Sequence, residues 1–180
     1  MEIQFTSILP EAATPADADL LCYLGSTTFA QTFGYLFDAP TLAQYLAKTF
    51  KSAKLRRSLQ NPENKYWIAY AEGKAMGYAK LKLGSESSYS KASGQVQLQK
   101  IYLLKEYLHK GFGQQLLDLR LREAESKGSD LMWLHVFQEN EPAAQFYLRN
   151  SFRVLGPASF TIGQQALQYY AMGRDLHPRG

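Results

Sequence analysis

The chain has 180 residues, 46% of them apolar and 20% charged, the make-up of one globular domain with a sizeable core. Twenty Lys and Arg against 16 Asp and Glu leave a net charge of +4, too small to argue for nucleic acid. The single cysteine, Cys22, excludes an intramolecular disulfide and a cysteine-rich metal site, and no uninterrupted apolar run is long enough to cross a bilayer.

The opening "MEIQFTSILPEAATPADADLL" lacks a basic start followed by a long apolar core, so no signal peptide is expected and a cytoplasmic location is the default. "EIQFTSIL", Glu2 to Leu9, alternates as a strand that Pro10 should end. Thr14 and Pro15 suit a helix start, the first as N-cap and the second in the first turn. The helix should run through "ADADLLCYLGSTTFAQTF" with a break near Gly25, and Cys22 reads as a buried, inert thiol. "DAPTLAQYLAKTFKSAKLRRSLQNP" gives a second helical region, with Leu42, Tyr45, Leu46 and Phe50 at helical spacing and Asn61-Pro62 as the stop. Its basic stretch, Lys48 to Arg57, is either a solvated helix face or a weak anion-attracting surface.

Two strand-like runs, Tyr66 to Ala71 and Ala75 to Leu83, follow around the hairpin connection "EGK". Gly84 to Gly94 is a polar loop. In "QVQLQKIYLL", Gln95 to Leu104, the alternation slips one place between Leu98 and Ile101, as at a β-bulge. From Gly111 onward, Phe112, Leu116, Leu117, Leu121 and Ala124 make one apolar helix stripe, with Gly128 as a C-cap. "DLMWLHVF" is a continuous apolar strand of the buried parallel kind. Asn140 and Pro142 open a short helix with Ala143, Phe146 and Tyr147 on one face, and "SFRVL" and "ALQYYAM" finish as strands.

The centre is therefore a βαβ unit with a glycine turn, "LHKGFG", where its first strand becomes a helix. Such a turn offers main-chain N–H groups to a phosphate, although a tight, well-packed turn needs the same residues. A P-loop is excluded by the missing Gly-x-x-x-x-Gly-Lys-Ser/Thr. The dinucleotide fingerprint is excluded because Leu116 stands where its third glycine belongs.

"QKIYLLKEYLHKGFGQQLLD" and "WLHVFQENEPAAQFYLRNSF", in this order, resemble the Gcn5-related N-acetyltransferase (GNAT) superfamily, strongly from Gln95 to Phe152. Over the whole chain the look is that of its polyamine-acetylating branch, the spermidine/spermine N-acetyltransferases. The resemblance implies one α/β (α+β) domain over residues 1–180. Its mixed central sheet would have about seven strands flanked by helices, with a splay between two central parallel strands. It implies acetyl-CoA (coenzyme A) as co-substrate, no metal, and an enzyme that acetylates a primary amine by direct attack in a ternary complex. The amine would belong to a polyamine-like or amino-acid-like small molecule or to a peptide N-terminus. No nucleic acid or membrane partner is implied, and a homodimer is left open.

Carried onto this chain, the resemblance gives the coenzyme's diphosphate to Leu108, His109, Lys110, Gly111, Phe112, Gly113 and Gln114, largely through main-chain N–H groups. Leu108 departs from the family's usual Gln or Arg, leaving only its N–H to contribute. Ile101, Tyr102 and Leu103 would pair their backbone with the pantetheine arm, Asn140 would lie near that arm, and Arg149 near the ribose phosphate. Asn140 is also read as a plain N-cap, and Arg149 as a charge placed on a helix dipole. Tyr147 matches the family's general acid, and also fits a core aromatic. For the general base the sequence leaves His135, water, or no base at all, since the strand into the turn carries glutamines. Glutamines in "GQQALQYYAM", where polyamine-acetylating relatives carry Asp, argue against a polyamine. The aromatics Phe29, Phe33, Tyr35 and Phe37 either face the acceptor or are core. The alternatives from other classes are a non-catalytic acyl-CoA-binding regulatory module and a small nucleotide-binding α/β domain.

Overall fold

The computed structural model describes residues 9–177. Strands β1 (Leu9–Ala12), β2 (Asn64–Ala71), β3 (Lys74–Leu83), β4 (Gln95–Leu103), β5 (Leu131–Phe137), β6 (Arg153–Ile162) and β7 (Gln165–Asp175) hydrogen-bond in the order β1-β2-β3-β4-β5-β7-β6. Helices α1 (Ala18–Phe33), α2 (Ala39–Thr49) and α3 (Ser52–Gln60) come before β2; α4 (Phe112–Ser126) and α5 (Glu141–Arg149) flank β5 in the chain. The mixed α/β class and the seven-stranded mixed sheet expected from the sequence are both present. The chain divides into two compact units, one of residues up to Leu81 with Lys100–Arg120, the other of Lys82–Gln99 with residues from Leu121 onward.

In the first unit, the strand expected over Glu2 to Leu9 lies outside the described residues except for Leu9. Pro10 does not end a strand. It sits inside β1, opposite Ala69 of β2. β1 is an edge strand, where a residue without an N–H can keep its donor side away from the ladder. Thr14 and Pro15 do start a helical segment: the Asp17 carboxylate accepts from the Thr14 N–H at 2.7 Å, and a 3₁₀ turn over Pro15–Asp17 leads into α1.

The expected break at Gly25 is absent, and α1 continues through it. Gly25 is there for packing. A Cβ built on it would collide with the Phe50 ring, which also lies 6.5 Å from the Phe29 ring. Phe50 in turn ends α2, so the helical region expected over Asp38 to Pro62 is two helices hinged at Phe50 and Lys51. Gly25→Ala should therefore lower the denaturant midpoint by the equivalent of about 1–3 kcal/mol through overpacking, and adding Phe50→Leu should recover part of the loss.

The two faces of the strands in this unit carry separate clusters. Ala69, Met76 and Ala79 pack with Phe112 and Leu116 of α4, joined by Ile101 and Leu103. Leu21 and Leu24 of α1 pack with Tyr66, Ile68, Tyr78 and Leu104, joined by Tyr102. Between β2 and β3, Glu72 and Gly73 both have positive φ (50° and 75°), as a two-residue hairpin turn requires.

In the second unit, β5 is buried along nearly its whole length, as its apolar run predicts. It pairs with β7 from Leu131↔Asp175 to Phe137↔Tyr169. Its parallel register with β4 covers only Gln95↔Leu131, Val96↔Met132 and Gln97↔Trp133. β5 thus runs on from Leu134 to Phe137 beyond its last β4 partner. β6 and β7 form a long antiparallel hairpin with an irregularity between Val154 and Gly156, and both extend well past the short runs legible in sequence. Gly128 caps α4 as expected, with φ +74°, while the Ser129 N–H donates back to the Ala124 carbonyl at 3.1 Å.

Candidate functional site

The residues expected to hold a coenzyme fall into two groups. Ile101, Tyr102, Leu103 and the turn Leu108 to Gln114 belong to the first unit; Asn140, Tyr147 and Arg149 belong to the second.

In the first unit, β4 delivers the chain into a 3₁₀ turn over Lys105–Tyr107. That turn is pinned by a contact the sequence did not reveal: the Lys105 N–H donates to Gln31 Oε1 of α1 at 2.9 Å. The Leu104 N–H donates to the Met76 carbonyl at 2.8 Å. Gly77 allows β3 its close approach here, since a Cβ on it would run into the Tyr102 carbonyl and the Leu103 side chain. Gly77 is a supporting residue that sequence reasoning missed, because its neighbour is 25 positions away.

Past the 3₁₀ turn, His109 (φ +60°) and Gly111 (φ +81°) are both left-handed. Such alternation curves the main chain so that successive N–H groups can face one concavity, the geometry of anion nests. For a non-glycine residue like His109 the conformation costs about 1–2 kcal/mol, strain of the kind that gathers at functional turns. α4 begins at Phe112, and the Gln115 N–H donates to the Gly111 carbonyl at 3.2 Å, closing the first helical turn. A helix start carries positive dipole and directs its first N–H groups out along the axis.

The two glycines of the turn do different work. Gly111 needs its positive φ. Gly113 is helical, and a Cβ there would meet only Leu103 Cδ1 at 4.0 Å, an ordinary contact. Glycine at 113 leaves the helix's amino end uncovered by a side chain. Leu108 is 42% exposed, and the Lys110 ammonium lies 5.8 Å from the Tyr107 ring centroid.

In the second unit, Asn140 caps α5 by accepting from the Ala143 N–H at 3.4 Å, a long bond. Arg149 is exposed in the last turn, where a cation favours the helix dipole. Tyr147 is buried, its ring edge-on to Phe146 and Phe152 at 5.3 and 5.5 Å. Burial pushes its phenol far above the ordinary tyrosine value, so the group keeps its proton across any assay range.

His135 packs edge-on against Trp133 (5.0 Å) and Phe160 (4.9 Å), and burial holds its imidazole below the usual histidine value. The unfolded chain then binds more protons at this site than the folded one, so stability falls as pH drops below about 6.5. His135→Phe should flatten that part of a pH–stability curve, measured as denaturant midpoint between about pH 5 and 7. The glutamines of β4 hold one another: Gln97 Oε1 accepts from Gln99 Nε2 at 3.0 Å and from the Ser85 hydroxyl at 3.1 Å.

Of the aromatics considered for the acceptor, Phe29 and Phe33 are core, with ring centroids 5.1 Å apart; Tyr35 is 73% exposed. Cys22 is half-buried with its thiol pushed up, by burial first and by Asp19 second, which disfavours the nucleophilic thiolate. Among the described residues no group of His, Cys, Asp and Glu could hold a metal, and no helix is long and apolar enough to cross a membrane.

A strand leading through a left-handed glycine turn into a helix, in a sheet with this strand order, defines an α/β protein of the acetyltransferase type. The chain belongs to the acetyltransferase (GNAT) family, whose profile matches residues 31–152. An uncharacterized N-acetyltransferase of Mycobacterium tuberculosis is 29% identical over 160 residues, 89% of this chain and 98% of its own length. The spermidine N(1)-acetyltransferase of Thermoplasma acidophilum is 23% identical over 142 residues, 77% of this chain and 83% of its own. Among solved structures, the PaiA N-acetyltransferase of Thermoplasma acidophilum in complex with coenzyme A superposes with a TM-score of 0.75 at 21% identity, covering 94% of this chain and 99% of that one.

Proposed function

We propose that the protein is a single acetyltransferase domain that moves the acetyl group of acetyl-CoA onto a primary amine by direct attack in a ternary complex. The left-handed turn at His109 and Gly111 leading into α4 carries this reading, because it presents main-chain donors and a helix dipole to the coenzyme's diphosphate. The solved relative named with coenzyme A supports the choice of ligand. Leu108, His109, Lys110, Phe112, Gly113 and Gln114 complete that binding turn. Ile101, Tyr102 and Leu103 offer backbone to the pantetheine arm, with Asn140 beside the arm and Arg149 toward the ribose phosphate.

The balance of the reaction is simple. The amine lone pair forms the C–N bond, the C–S bond breaks, the ammonium loses one proton, and the departing sulfur takes one up. Tyr147, the general-acid candidate, donates a hydrogen bond to that sulfur, and the proton the thiolate finally takes up comes from solvent. With its phenol held far above a thiol's ordinary value of about 8.5, complete transfer is uphill, so its contribution is a strong hydrogen bond to the developing thiolate. Water takes the amine's proton: the β4 glutamines are not bases, and His135 is wedged between aromatic rings. The acceptor we propose is the amine of a small molecule or a peptide N-terminus, and the place of action the cytoplasm.

The same glutamines favour one second reading, a regulatory module that binds acyl-CoA without turning it over. Thiol release from acetyl-CoA against a panel of polyamines, amino acids and peptide N-termini separates the two. Turnover with any amine supports the enzyme; coenzyme A binding with no turnover across the panel supports the module.

A further inference from the structure

The first unit contains a cavity of about 180 Å³ under α1 and α3, on the face of β2, β3 and β4 that carries the tyrosines. Three lysines line it: Lys54, exposed on α3; Lys80 on β3; and Lys100 on β4. The Lys80 ammonium lies 5.2 Å from the Tyr66 ring centroid and that of Lys100 lies 5.9 Å from the Tyr102 ring centroid. Ser58 and Tyr66, both in the wall, share a hydrogen bond of 2.8 Å. Among the residues lining the cavity there is no Asp or Glu.

Gathering like charges around one small space is unfavourable unless an opposite charge enters it. Burial pulls the Lys100 ammonium below its ordinary value and the charge of Lys54 pulls it further, so the pair already repel. Tyr78, fully enclosed, is held protonated and can only donate or accept as a neutral phenol. The volume is below the 300–1,000 Å³ or so typical of drug-sized pockets, and suits one small charged group. Lys100 also immediately precedes Ile101 on β4, the strand that enters the proposed coenzyme turn.

We infer that this cavity receives a carboxylate or phosphate group of the acceptor, so that the protein acetylates an anion-bearing amine rather than a polyamine. The inference rests on the acetyl-transfer reading for its link to the acceptor, and on the cavity alone for its link to an anion. A polyamine would add ammonium groups beside those of Lys54 and Lys100, which already repel each other.

The test pairs amines that differ only in the anion: alanine against ethylamine for the carboxylate, phosphoethanolamine against ethanolamine for the phosphate, with spermidine alongside. The expected result is a kcat/KM preference of roughly tenfold or more for the anion-bearing member of one pair. That ratio should fall toward unity in Lys100→Met and decline in Lys54→Met, whose exposed position spares folding. Arg57→Gln, which removes an exposed charge from α3 outside the cavity, should leave the ratio unchanged. Equal or better turnover of the amines without an anionic group or of spermidine, or a ratio untouched by both lysine variants, overturns the inference. Calorimetric titration of the whole chain with acetate and with inorganic phosphate separates this failure from failure of the enzyme reading. If no amine is turned over, yet one anion binds and either lysine variant weakens it about tenfold, the cavity assignment stands without the enzyme. If neither anion binds, or both lysine variants bind as the parent does, the assignment falls.

Discussion

Tyr147→Phe should lower kcat by about 100-fold, with little change in the KM for acetyl-CoA. The substitution keeps the ring edge-on to Phe146 and Phe152 and removes only the hydroxyl. If the tyrosine were simply core, losing a buried phenol would shift stability slightly and leave kcat alone. If it supports the departing sulfur, the loss appears in the chemical step. Burial keeps this phenol protonated, so the ratio of parent to variant kcat should be constant between pH 6 and 9. Stopped-flow thiol release under saturating acetyl-CoA measures it. An unchanged kcat across that range removes Tyr147 from the mechanism.

Gly111→Val should raise the dissociation constant for coenzyme A at least tenfold, equivalent to about 1.4 kcal/mol. No neighbour lies within 4 Å of a Cβ built at Gly111, so crowding is not the cause. The cause is the backbone. At φ +81° a β-branched residue is strained by about 1–2 kcal/mol or more, and the turn relaxes by giving up its left-handed form. Relaxation turns the N–H groups of the α4 amino end away from a shared focus. Gly113→Ala is the informative contrast. It keeps a helical backbone and a Cβ there meets only Leu103, so both stability and coenzyme A affinity should hold. If Gly111→Val lowers stability but leaves coenzyme A affinity intact, the turn serves only packing.

What could be read in advance follows from how local each cause is. The α4 stripe of Phe112, Leu116, Leu117, Leu121 and Ala124 was legible because helical periodicity lies within one window; all five residues are buried. β5 was legible from its apolar run, and the order of elements around the glycine turn was specific enough to bring out the family. The continuity of α1 through Gly25 was not, because the reason is the Phe50 ring, 25 positions away. Pro10 was misplaced because proline is judged against a central strand, and β1 is an edge. At the candidate site, both glycines were found, but not that only Gly111 needs a left-handed conformation while Gly113 is helical. His109 was legible only as one residue of the turn, while its left-handed backbone is the more telling property. Gln31, Gly77 and Lys100 escaped notice because each acts through a partner that only folding brings near.

The most direct test of the account compares coenzyme A with pantetheine, which has the same thiol arm and no diphosphate, by calorimetry on the whole chain. If main-chain groups of the His109–Gly111 turn and the amino end of α4 hold the diphosphate, coenzyme A should bind at least tenfold more tightly, and Gly111→Val should erase most of that difference. Equal affinity for the two ligands, or a difference that survives Gly111→Val in full, would contradict it.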